Sequence, residues 1–578
     1  VHITAASRAV SNPNPVALSW LAAGAVTVLL VLKLQLIFLQ NINWDEFFFL
    51  SMVHSALRGD LAIALQTVHV HAFYWLPQVS VSEVDQVVAA RGVMFALQVG
   101  TCGFIYLVGR RLFGPAAAVF GGLAYLTLSY TVDHGTSFRA DPIAAFLLMA
   151  ALWMIVRDRS GMAEVVAAGL LTAVAGLVTI KSIFYVPTLV LAVLCLTQAQ
   201  RAQRRVVELI VLGLTALAAF GLFYIAHGAS LDGAKNIHAA NLVAVSSAKM
   251  IQLDNLFPRS PYLLNSMFGD PAVWILLLGG FAAAVATAAS GARRQRGFGL
   301  VGLGLPLLTF IFYRNAFPYF YVFVLAAPAV LAAGMFDRFA RSHGQNRKFH
   351  WVVAMTMVVL AMNPIGRYLR NDVDRTAAQR QHIDVVHRMF PRPVAYIDRS
   401  SMVASFPKVG FFMSTWGMES YLAAGRPIMR GLLTRHHPVF VLANIDSLRL
   451  DAPRVQVAGT KRYRLLPADH AVLRENFVHH WGAIWVAGKH LTASVLGQVY
   501  QFEILIPGSY TVESAVPVMI DGVARRPGAK VMLDAGRHTL VSQTAPARIV
   551  LRWGTDLYRP AETPISTQLF VGFAVPKK

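Results

Sequence analysis

Val16 to Phe49 reads VALSWLAAGAVTVLLVLKLQLIFLQNINWDEFFF: an almost wholly apolar run to Leu39, then an acidic pair set among aromatic residues. A helix that crosses the hydrocarbon core of a bilayer needs about 20 apolar residues, and the first part of this stretch supplies them. The pattern recurs downstream, near 86–108, 115–131, 142–156, 163–180, 183–200, 206–228, 271–290, 298–313, 318–336 and 350–363. With 16–39, the expectation is about eleven spans. Composition agrees. The chain has 578 residues, 56% of them hydrophobic and only 14% charged, whereas soluble domains carry about 25% charge. A cytosolic enzyme, a disordered chain, a disulfide-stapled scaffold and a single-anchor protein are all excluded. Cys102 and Cys195 both lie in apolar runs and read as small packing residues.

The chain carries 51 Lys and Arg against 29 Asp and Glu, a net charge of +22. No groove-reading helix or stacking motif accompanies that excess, so nucleic acid is not an expected partner. Much of it falls instead on alternate loops: Arg110-Arg111, Arg157/Arg159, Arg201/Arg204/Arg205, Arg293/Arg294/Arg296 and Arg338/Arg341/Arg347/Lys348, with Arg8 before the first span. The positive-inside rule makes those loops and the N-terminus cytoplasmic, some of them facing anionic lipid headgroups. An odd number of spans then puts the C-terminal region on the other face. On that face, 41–85 suits helices lying along the interface. The loop 230–270 carries helix-breaking prolines in Asp254-Asn-Leu-Phe-Pro-Arg259-Ser-Pro261.

From about residue 366 the composition turns polar. Short β-like runs at 394–397, 439–442 and 483–486 alternate with helical stretches at 416–424 and 467–480, and 500–555 reads as alternating strands with tight turns. The expected fold is a polytopic α-helical membrane protein with a soluble C-terminal region, part α/β and part small β-sandwich. The expected divisions are 1–365, 366–497 and 498–578.

Asp45 and Glu46 lie just beyond a span, where carboxylates are costly unless hydrated, paired or useful. Desolvation would raise their proton affinity and suit a general base; interfacial charges beside an aromatic belt are the plainer reading. On the same side come Asp133-His134 and Phe138-Arg139-Ala140-Asp141-Pro142, where Asp141 also suits a helix start. Arg139, Lys181, Arg259 and Arg314 stand there against the topological charge bias, and cations converging on one cavity would suit a phosphate leaving group.

The acidic pair followed by aromatics, in the first external loop, resembles the GT-C glycosyltransferases, in the branch of protein O-mannosyltransferases and lipid A aminoarabinose transferases. The segment Phe138–Pro142 is similar to that branch's second acidic motif. The resemblance implies a GT-C-like membrane domain and a polyprenyl-phosphate sugar donor. It also implies inverting transfer to a hydroxyl of a cell-envelope glycan, glycolipid or lipid acceptor outside the cytoplasm. Carried over by position, Asp45 takes the acceptor proton, Glu46 orients it or contacts the sugar, and Asp141 is a second essential acid. Arg139, Lys181, Arg259, Arg314 and His134 are assigned to donor phosphate or substrate by side and charge alone. The absence of mannosyltransferase-type repeats weighs against a protein acceptor, and the two-part tail, without clear counterpart in the aminoarabinose transferases, weighs against lipid A; the small β-region resembles carbohydrate-binding modules in shape, which points toward a glycan or glycolipid acceptor.

High Ala, Arg and Val content suits a GC-rich bacterial genome, hence the inner membrane with a periplasmic tail. No cofactor is assigned. A divalent cation is a candidate only, with His69, His71, Asp133 and His134 as ligands to consider; no residue is assigned to it. His382 and His387 read as a solvated helix face. Two other classes stay open: a flippase for a lipid-linked glycan, and a non-catalytic polysaccharide-assembly scaffold.

Overall fold

The computed structural model describes residues 15–158, 161–197, 202–231, 250–251, 254–343, 347–369, 374–451 and 464–571. Arg8, Arg159, Arg201 and, within the loop expected at 230–270, residues 232–249 and 252–253 lie outside the described residues.

The protein is mostly helical up to residue 369 and rich in strands beyond 476. Among the described residues, six helical segments are long and apolar enough to cross a membrane: Trp20–Leu39, Glu83–Phe113, Ala202–Ala229, Pro271–Ala289, Arg294–Phe312 and Trp351–Leu369. Shorter apolar helices cover Pro115–Thr127, Ala140–Val156, Met162–Val178 and Ile180–Leu196. This is a multi-pass membrane protein. Its lipid-facing surface is plainest on Ala202–Ala229, where Leu217 is 73% exposed and Ile210, Leu214 and Ile225 are also bare. In water such a stripe would be untenable, whereas acyl chains cover it at no cost.

Some apolar stretches do not form single helices. Arg294–Gly304 passes through a tight turn at Leu305–Leu308, around Pro306, before Thr309–Phe312. Ile180–Tyr185 is likewise a tight turn that leads into Val186–Leu196, with Pro187 in its first turn. Proline lacks the donor that a continuous helix would need at these points. At the centre lies Ala326–His343, whose residues Ala326, Ala327, Val330, Ala332 and Ala333 are fully buried. Small side chains there let neighbouring backbones approach closely.

The tail begins with the helix Ala377–Met389. Its larger sheet has the order β1 (Tyr396–Ile397), β2 (Phe440–Leu442), β4 (Ile484–Ala493), β11 (Ala547–Trp553), β6 (Gly508–Ser514) and β9 (Lys530–Leu533); β3 (Phe477–Trp481) also pairs with β4. Only β1 and β2 run parallel. A second sheet of β5 (Val499–Ile504), β10 (Gly536–Ser542), β7 (Val518–Ile520) and β8 (Val523–Arg525) encloses a core with Val512, Leu533, Leu540 and Leu551. Because β4 pairs with β11, strands on both sides of residue 497 share one sheet.

Two local readings are corrected. The helical stretch expected at 467–480 stops at Asn476, because Phe477, Val478 and Trp481 are buried by the sheet. His382 and His387 are not a solvated face. His382 is fully buried and its Nε2 accepts from the Ala483 N–H at 3.1 Å, while His387 Nε2 lies 3.0 Å from Glu83 Oε2.

Candidate active site

The first external loop starts where the helix Pro15–Leu39 ends. Asn43 caps the next helix, Trp44–Arg58: its side chain accepts from the Asp45 N–H at 2.9 Å, and its own N–H donates to Glu46 Oε2 at 2.9 Å. This is a capping box, visible in the sequence as Asn43 with Glu46 three residues on. It turns Asp45 and Glu46 in different directions.

Glu46 is fully buried. Arg91 grips it with two hydrogen bonds, Nε to Oε1 at 2.8 Å and Nη2 to Oε2 at 2.6 Å, and the Phe138 N–H donates to Oε1 at 2.9 Å. With Asn43, all four lone-pair positions are occupied. Burial alone would raise the proton affinity of Glu46, but Arg91 and the two backbone donors hold it below the usual carboxylate range. The same guanidinium donates to the carbonyls of Ile37, Gln40 and Asn41, left open where the first span ends. Glu46, expected to orient Asp45 or contact the sugar, therefore has no acceptor free for a sugar hydroxyl.

Asp45 is partly exposed, with 18% of its side chain accessible, and is held by Arg139 Nη1. Arg139 also faces Asp141, Nε to Oδ2 at 3.6 Å, and lies flat on Tyr319, 3.6 Å from the ring centroid. Desolvation works against its charge, but Asp45 and Asp141 more than offset that and keep it protonated. Lys181, in the turn Ile180–Tyr185, donates to Asp141. Asp45, Arg139, Asp141 and Lys181 thus form a chain of alternating charge. The cap of helix Ala140–Val156 is Arg139 rather than Asp141, which sits inside the first turn and complements the helix dipole.

The other expected residues sit at the margins. Arg259 donates to the Arg314 carbonyl at 2.9 Å and stacks on Phe317, beside Tyr319. Arg314 turns to the tail, pairing with Glu419 at 2.9 Å over the ring of Trp416. His134 ends the helix Ser129–His134; burial and the charges of Arg139, Lys33, Arg367 and Arg91 push its imidazole down to about 3. Asp133 pairs with Arg367. His71 meets His227 at 2.8 Å, away from Asp133. Among the described residues no group of three His, Cys, Asp or Glu side chains is arranged to hold a metal ion. Asp45 and Asp141 each face a basic side chain.

The aromatics of the first loop do not form a membrane belt. Phe48 stacks on Phe412 at 4.4 Å, and Trp44 meets Phe570 edge-on at 5.8 Å. Glu83, at the start of the second span, is buried against Ser405, and Arg58 donates to the carbonyls of Ala404 and Ser405. The tail is therefore the roof of the site, and it brings Arg399 to within 3.6 Å of the Trp44 ring centroid. Sequence reasoning missed Arg91, Tyr319 and Arg399. Arg91 carried a signal, as a lone charge inside an apolar span; the other two carried none.

Comparison with known proteins places this geometry. Residues 73–224 match the family model of dolichyl-phosphate-mannose-protein mannosyltransferases, a range that contains Arg139, Asp141 and Lys181 but not Asp45. No curated protein matches the chain. Among solved structures, ArnT from Cupriavidus metallidurans bound to undecaprenyl phosphate is 17% identical, covers 73% of this chain and 93% of its own, and superposes with a TM-score of 0.50. The apo oligosaccharyltransferase of Archaeoglobus fulgidus is 10% identical, covers 89% of this chain and 76% of its own, and has a TM-score of 0.47. The fold is the one that ArnT has, and the family model matched over 73–224 belongs to the branch that the two acidic motifs resemble.

Proposed function

We propose that this protein is an inverting glycosyltransferase that moves a sugar from a polyprenyl-phosphate donor to a hydroxyl of a cell-envelope glycan, glycolipid or lipid. We place the reaction on the non-cytoplasmic face of a bacterial inner membrane, with the N-terminus cytoplasmic and the tail periplasmic. The observation that carries this reading is the alternating chain Asp45–Arg139–Asp141–Lys181, set at the membrane edge beneath the tail. The fold shared with ArnT and the mannosyltransferase match over 73–224 support it, and undecaprenyl phosphate on ArnT supports the donor class.

The acceptor oxygen attacks the anomeric carbon from the face opposite the phosphate. The bond from that carbon to the phosphate oxygen breaks, its electron pair leaves with the polyprenyl phosphate, and Asp45 takes the acceptor proton. Arg139 pairs with Asp45. A donor phosphate competes for that guanidinium, and its arrival frees Asp45 to act as base. Binding of donor and unmasking of base become one event. Lys181 and Arg259, both near Tyr319, neutralise the leaving phosphate. Asp141 holds Lys181 and Arg139 in place, and Glu46 fixes the loop without touching substrate.

The test is transfer of radiolabelled sugar from polyprenyl-phosphate donors to membrane acceptors by wild type and Asp45→Asn. Full activity in the variant refutes the base assignment. Lipid movement by wild type without sugar transfer favours the flippase.

A further inference from the structure

Arg399 lies in the tail, outside every motif discussed so far, and its surroundings are those of a binding residue. The loop that carries it is rigid. The buried Asp398 carboxylate accepts from the N–H groups of Ser400 at 3.0 Å, Ser401 at 2.7 Å and Met402 at 2.8 Å, and from Asn444 Nδ2 at 3.0 Å. Ser401 takes a left-handed φ of 62° to close that turn. Arg399 itself is held at both ends of its backbone: its N–H donates to Asn444 Oδ1 at 2.9 Å and its carbonyl accepts from the Met413 N–H at 2.9 Å.

The side chain leaves the tail and lies on the Trp44 ring, next to Asp45, with Phe570 at 5.9 Å. Its Nε is buried without a hydrogen-bond partner. Asp398 is engaged by four donors and Asp45 by Arg139, so the two acids act on Arg399 through charge alone. Burial accordingly pulls the guanidinium down to about 10, against the charges of Asp45 and Asp398. A latch between tail and membrane domain would need only the apolar contacts already made by Phe48, Phe412 and Phe570. A partly buried guanidinium whose Nε has no hydrogen-bond partner, carried on a hydrogen-bonded loop, is instead an arrangement that an anion completes.

We infer that Arg399 is an anion-binding residue on the acceptor side: it holds a phosphate or carboxylate of the acceptor beside the hydroxyl that Asp45 deprotonates, and so selects anionic acceptors. The inference rests on the function proposed above. The donor phosphate belongs to the cations around Tyr319, and Arg399 reaches Asp45 from the tail, through Trp44.

The experiment uses full-length protein in nanodiscs, preloaded with undecaprenyl phosphate to fill the donor side, and titrated with methyl phosphate or acetate. Wild type binds at least one of the two anions. Arg399→Gln weakens that binding about tenfold or more, the loss expected for a charge-assisted hydrogen bond, while Arg399→Lys restores part of it. The preferred anion tells phosphate from carboxylate. In the transfer assay, the same anion competes with acceptor in wild type but not in Arg399→Gln, which raises acceptor KM and leaves kcat nearly unchanged. Equal anion binding by wild type and Arg399→Gln overturns the inference, as does absence of binding in wild type. A common fall in Tm for Arg399→Gln and Arg399→Lys, with anion binding intact, makes Arg399 a latch and also overturns it. Anion binding that depends on Arg399, in a wild type that transfers no sugar, overturns the proposed function and leaves the anion site standing.

Discussion

The ion pairs Arg91–Glu46 and Arg139–Asp45 begin one residue apart on the same helix and end in different surroundings. Glu46 is sealed, with both oxygens saturated and its arginine spread over three further carbonyls. Asp45 keeps an open edge, and its arginine is shared between two carboxylates and an aromatic face. The first pair has nothing left to exchange, so it holds structure. The second can trade one anion for another, which chemistry requires.

The largest expected effect comes from Asp45→Asn. Loss of a general base should lower sugar transfer by about 10² to 10⁴, with Tm within about 2 °C of wild type because buried Arg139 keeps Asp141 as a counter-charge. A large fall in Tm would erase the contrast between the two pairs. Next is Glu46→Gln, which leaves Arg91 buried without its counter-charge and should cost about 3–5 kcal/mol of stability, read as lower Tm in detergent. Replacing both partners, Glu46→Leu with Arg91→Met, should recover much of that loss.

Arg139→Gln should raise donor KM about tenfold, with a smaller effect on stability than Glu46→Gln; the reverse order would merge the two pairs into one class. Acid titration sharpens the same point. Glu46 binds protons less readily when folded than its ordinary value, so its contribution is present above about pH 4.3 and is lost as pH falls through its lower folded value. Glu46→Gln should therefore flatten the acid limb of the Tm–pH curve. Smallest is Phe412→Ala, which removes the stack on Phe48 and about 0.5–1.5 kcal/mol beyond its buried area. Transfer should fall only modestly, as the roof over Asp45 loosens.

Much of the fold is legible in the chain. Apolar run length marks a membrane-crossing helix whatever surrounds it, because lipid requires backbone groups to be satisfied within the segment. The helix Ala377–Met389 was less legible, because its histidines look polar until Ala483 and Glu83 claim them. At the site, Asp45, Asp141, Arg139 and Lys181 could be grouped by side and charge. Arg314 could not be told apart from them, since only the fold shows that Glu419 and Trp416 engage it.

By itself, then, the sequence determined a multi-pass helical protein with a strand-bearing tail and two acidic motifs near one membrane edge. Those features follow from local composition and spacing. Only the tertiary structure decided which carboxylate is sealed and which is open, and that residues 399, 412 and 570 roof a loop at residues 43–49. Hydrogen-bond saturation and burial depend on partners far apart in the chain, so no local pattern could encode them.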